Sequence, residues 1–77
     1  MKITKNWLLE NKFKIGMDGQ QFIRKRGFKS LQCWIYEDSN IIQNWSIIDV
    51  KNERNCDLEP GPKTTEEVLM LCKIVGV

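Results

Sequence analysis

The stretch Ser30–Val50, SLQCWIYEDSNIIQNWSIIDV, decides how this chain folds. It reads as two β-strands joined by a polar turn at Asp38-Ser39-Asn40. It concentrates the β-branched and aromatic residues that suit a pleated surface. Side chains alternate across a strand. Leu31, Cys33 and Ile35 therefore share one face, and Gln32, Trp34 and Tyr36 the other. The second strand divides into Ile42, Asn44, Ser46, Ile48 and Val50 against Ile41, Gln43, Trp45, Ile47 and Asp49. An even-numbered loop sets Leu31 and Cys33 near Ile48 and Val50, and Trp34 and Tyr36 near Trp45 and Ile47. One face is then aliphatic and the other aromatic. An odd loop mixes the sets. Neither register yields the polar face that a solvated antiparallel sheet normally presents.

Outward from this hairpin, the flanking chain supplies covering elements. Gln21–Arg26 reads as a further strand, with Phe22 and Ile23 as its apolar content, and Gly27 ends it. Strands adjacent in sequence usually pair, which predicts an antiparallel meander. Residues 14–20, with Gly16 and Gly19 around Asp18, read as a loop. A short fourth edge strand is expected around Cys56–Leu58. The Pro60-Gly61-Pro62 segment breaks regular structure.

Two helices complete the pattern. Thr4 is an N-cap residue, Ile3 and Leu8 stand at the positions of a hydrophobic staple, and the helix is expected over Lys5–Lys12. Thr64 and Glu67 form a capping-box pair. Val68, Leu71, Cys72 and Val75 repeat at helical spacing, and Gly76 is placed to terminate the helix, which predicts a helix over Thr65–Val75.

A chain of 77 residues with 42% hydrophobic and 29% charged residues is one globular domain, 1–77, with a modest core. Its net charge of +2 is too small to imply nucleic acid by itself. No apolar run approaches the roughly 20 residues of a membrane helix. The first residues, MKITKNWLLENKFK, lack the apolar segment of a signal peptide, so a cytoplasmic location is expected. Cys33, Cys56 and Cys72 are then reduced thiols. Cys33 and Cys72 sit at apolar positions, and Cys56 in a polar loop.

Catalytic patterns are thin. The chain has no histidine, hence no conventional triad. Glu37 and Asp38 are neighbours on a strand or turn and point apart. No phosphate-binding or dinucleotide fingerprint is present. No metal ligand set or cofactor is expected, and the protein is read as a non-enzyme.

Two surfaces remain as candidates. Trp34, Tyr36, Ile41, Trp45 and Ile47 offer the anchors typical of protein interfaces. Their bland alternative is core, with the two helices covering the sheet. Arg24, Lys25, Arg26 and Lys29, beside Phe28, Trp34 and Tyr36, form the candidate nucleic-acid contact. A charged edge strand explains the same residues.

The first helix with Trp7, the hairpin segments LQCWIYED (31–38) and NWSIIDV (44–50), and the terminal TTEEVLMLCKIVGV (64–77) together resemble small proteins of bacterial genomes and prophages that carry no assigned activity. The resemblance spans the chain and implies neither an activity nor site residues.

The expectation is therefore an α+β domain: a short N-terminal helix, an antiparallel meander of three to four strands, and a C-terminal helix packed on the sheet. Its expected role is that of a protein–protein interaction module, forming a homodimer. The alternative is a small nucleic-acid-binding accessory protein of phage or mobile-element origin.

Overall fold

The computed structural model describes residues 1–16, 19–35 and 42–77. In chain order they form α1 (Lys5–Glu10), β1 (Lys14–Ile15), β2 (Gln21–Arg26), β3 (Lys29–Ile35), β4 (Ile42–Asp49), β5 (Arg54–Asp57) and α2 (Thr65–Val75). The sheet is an antiparallel meander in the order β1-β2-β3-β4-β5. Among the described residues it has five strands, where the sequence pattern suggests three to four. The unexpected one is β1, inside the segment that reads as a loop. Two residues carry too little pattern to mark a strand, and Lys14 and Ile15 become one only by pairing with Ile23 and Phe22. The edge strand expected around Cys56–Leu58 lies slightly earlier, at Arg54–Asp57. The turn at Asp38–Asn40 lies outside the described residues.

Local signals fix both helices. Thr4 Oγ1 accepts a hydrogen bond from the Trp7 amide at 3.1 Å, and Ile3 and Leu8 are both buried, as a staple requires. Thr64 Oγ1 accepts from the Glu67 amide at 3.2 Å. The Glu67 carboxylate accepts from the Lys63 amide, one residue beyond the N-cap amide of the reciprocal capping-box bond. Gly76 ends α2 in the left-handed conformation. The N-terminal segment ties into this helix: the Thr65 amide donates to the Met1 carbonyl, and the Met1 ammonium pairs with Glu66 at 2.9 Å. That contact holds the Glu66 carboxyl at about 2.

A β-bulge in the central hairpin decides which side chains meet the helices. From Lys29↔Asp49 to Gln32↔Ser46 the pairing joins odd with odd positions and even with even, whereas Trp34 faces Gln43 and Ile35 faces Ile42. Cys33 therefore spans both Asn44 and Trp45. Asn44 sits at φ 57°, the left-handed region that asparagine tolerates better than most residues. The extra residue switches parity in mid-strand. Neither uniform register anticipated for this hairpin holds along its whole length.

The switch gathers Leu31, Cys33, Ile35, Ile42, Trp45 and Ile47 on one face, with Phe22 of β2 beside them. Both helices pack there. Leu8, Val68, Cys72, Ile3 and Phe13 close over Phe22, Leu31, Cys33, Ile35 and Trp45 to make the core. The Phe13 and Trp45 rings meet edge to face, centroids 6.3 Å apart. Gly61 comes so close to Trp45 that an added Cβ would stand 2.6 Å from Cδ1. No helix among the described residues is long and apolar enough to cross a membrane.

Candidate interaction face

With both helices on one side, the other side of the sheet carries three rows of side chains. The register runs Gln21–Trp34–Gln43 in the first row, Lys14–Ile23–Gln32–Ser46–Asp57 in the second, and Lys25–Ser30–Ile48–Asn55 in the third. Trp34, Ile23 and Ile48 are partly buried by their neighbours yet retain exposed surface, and the small Ser30 and Ser46 are sheltered between them. An amide ladder stiffens the centre. Gln21 Nε2 donates to Gln32 Oε1 at 2.7 Å, and Gln32 Nε2 donates to Ser30 Oγ at 3.2 Å. Each bond uses one of the two amide N–H donors of its glutamine and leaves the other free.

Charge is unevenly distributed across this face. At the β1–β2 edge, Lys12, Lys14 and Lys25 surround a cavity of about 400 Å³ lined also by Ile15 and Ile23. At the β5 edge stands Asp57, which with Glu59, Gln43 and Lys63 lines a cleft of about 550 Å³. Trp45 walls that cleft from the core side, and its buried indole N–H has no hydrogen-bond partner. A separate exposed apolar region runs along α2, where Met70 and Ile74 border a groove of about 250 Å³ with Leu58, Pro60 and Pro62. Among the described residues, no group of three or more His, Cys, Asp or Glu could hold a metal ion.

The sequence-derived interaction set does not form one surface. Trp45 is 3% exposed and lies in the core, Ile47 shares its face, and Trp34 points to the opposite side. Tyr36 and Ile41 lie outside the described residues. The bulge at Asn44 is the physical reason: it takes Trp45 and Ile47 out of the register that would align them with Trp34. Residues that reading missed are Ile23, Gln32, Ile48 and Lys14. The signal for Ile23 was available, since Phe22 and Ile23 must face opposite ways and only one can be core.

The basic set is divided as well. Arg24 faces the helices beside Phe22, and its guanidinium donates to the Val77 carbonyl at 3.1 Å and the Asn11 carbonyl at 3.4 Å. It clamps the end of α1 to the end of α2, and its Nε is buried without a partner. Lys25 lies on the open face. Arg26 and Lys29 flank the Gly27-Phe28 turn and are exposed, and Lys29 stands opposite Asp49.

The three thiols separate by environment. Cys33 and Cys72 are buried, and Cys56 is exposed on β5. Burial pushes the Cys33 thiol up to about 12 and raises that of Cys72 against the pull of the Arg24 charge. A disulfide-exchange reagent is therefore expected to titrate one thiol in the folded protein and three after denaturation. Because the folded values lie above the unfolded ones, this contribution to stability is complete below the ordinary thiol value of 9.0. It is lost as pH rises toward about 12. Reaction of all three thiols at equal rates under native conditions would contradict the buried placement.

Comparison with protein-family models, with curated proteins and with solved structures finds no match for this chain.

Proposed function

We propose that this domain is a protein-docking module that uses the open face of its sheet. The observation that carries the reading is the one-sided cover: both helices lie on the Trp45 face, while Trp34, Ile23 and Ile48 lie on the other, one in each row. A sheet side meant only for water carries polar residues at alternate positions. Here each of three rows has an apolar residue at or beside its middle strand. A tryptophan on the middle strand of a partly desolvated patch is a typical anchor of a protein interface, and Gln21 and Gln43 flank it here. The α2 groove is smaller and offers no aromatic anchor. Nothing in this role calls for catalysis.

The reading is tested with a photo-crosslinking amino acid at Gln43, which lies beside Trp34, in living cells that produce the chain. A discrete protein adduct is expected, and it should vanish when Trp34→Glu is added. Equal adduct formation with and without Trp34→Glu, or none at all, overturns the proposal.

A further inference from the structure

We propose, resting on that docking reading, that the occupant of the open face is a second copy of this chain, stacked about a two-fold axis parallel to the strands and passing over β3. The argument is charge complementarity. The face is cationic along one edge, at Lys12, Lys14 and Lys25, and carries Asp57 at the other, with Glu59 nearby and Lys63 in the same cleft. Among the described residues none of these side chains has an ion-pair partner within its own chain; the ion pair present joins Met1 and Glu66.

A two-fold axis parallel to the strands lays β1 over β5 of the second copy and β2 over β4. Lys14 then lies over Asp57 of the second copy, and the reverse pair forms at the other edge. Lys25 lays its aliphatic stem toward Ile48 of the second copy, a use of lysine that leaves its ammonium in water. The middle strand opposes itself. Trp34 meets Trp34, and Gln32 meets Gln32, whose amide is both donor and acceptor and so is complementary to its own image. Two twisted sheets stack in this way with strands about 30° apart and about 10 Å between them.

The footprint is roughly four strand spacings by six residues, about 19 by 20 Å. That is at the small end of specific interfaces, so association in the micromolar range is expected. The rim pairs are solvent-exposed, so added salt weakens it. Nucleic acid is the less favoured occupant, because Arg24 is turned into the core clamp and Asp57 would repel a phosphate chain crossing the face.

The test is solution mass by light scattering across micromolar to millimolar concentration, with three chains. The wild type is expected to rise from 9.1 kDa toward twice that mass. The Lys14→Glu chain and the Asp57→Lys chain should each dimerise at least tenfold more weakly. An equimolar mixture of the two should recover the wild-type mass, because the reversed edges are complementary. Circular dichroism establishes that each chain is folded. A wild type that stays at 9.1 kDa throughout overturns the second copy, as do charge-reversed chains that dimerise as well as wild type. The Gln43 crosslink separates the two levels: an adduct with a different protein overturns the second copy and leaves the docking reading standing. Retention of single-stranded RNA by a monomeric chain, lost on lysine reversal, overturns both.

Discussion

Trp45→Ala is expected to destabilise the domain by about 3–5 kcal/mol, the range for emptying a buried aromatic site. Trp45 is 3% exposed, meets Phe13 edge to face and supports the backbone of the Gly61 loop. A domain of this size has a total stability near the low end of the usual ~5–15 kcal/mol, so the variant should be largely unfolded. Trp34→Ala removes a side chain of the same size from the same hairpin, yet it is expected to cost only about 1 kcal/mol, because no helix closes over it. Urea denaturation of the two variants reads the difference directly. Trp45→Phe should recover most of the loss, since the indole N–H that it deletes has no partner in the folded protein. Equal destabilisation by Trp34→Ala and Trp45→Ala would mean that the two faces are covered alike.

The second large effect is expected at Gly61. Its backbone is not in the left-handed region, so space alone excludes a side chain. An added Cβ would lie 2.6 Å from Trp45 Cδ1 and 3.0 Å from Cγ. The indole is rigid and packed against Phe13, so it cannot yield as the end of a lysine would. Gly61→Ala must lift the Leu58–Lys63 loop or tilt the indole, at a cost of about 1–3 kcal/mol, and Gly61→Val more. Thermal unfolding with and without Trp45→Ala, under stabilising osmolyte, separates the mechanisms. In the Trp45→Ala background the Gly61→Ala penalty should fall sharply, because the two closest atoms are gone and only the Cβ contact at 3.1 Å remains. A penalty unchanged in the double variant would place the strain elsewhere.

These two sites also mark where sequence reasoning runs out. The helix Thr65–Val75 is legible to the residue, because the cap at Thr64, the apolar spacing and the terminator at Gly76 are all local signals. The meander order is legible because strands adjacent in sequence pair. Strand β1 is not, since two residues become a strand only through their neighbour. The hairpin faces are not legible either. Strict alternation allows Trp34 and Trp45 one relation or the other throughout, and the bulge at Asn44 makes the relation change part-way. The hint is an asparagine placed before the buried Trp45, a residue type that tolerates positive φ. Sequence groups Arg24 with its charged neighbours. Its true partners, the Asn11 and Val77 carbonyls, lie at the ends of the two helices, where no pattern within β2 points.

The candidate face is half legible. The surplus of apolar strand surface over helical cover is plain in the residues, but its members sort differently in the fold. Trp34 stays, Trp45 and Ile47 move to the covered face, and Ile23 and Ile48 take their place.

The most direct measurement labels the three tryptophans with fluorine and follows their resonances against a soluble paramagnetic agent, at low and at high protein concentration. The Trp45 signal should be insensitive in both. The Trp34 signal should broaden at low concentration and become protected at high concentration, where a second copy covers it. A Trp34 signal already protected in the dilute monomer, or a Trp45 signal that broadens with it, would contradict a sheet sealed on one side and open on the other.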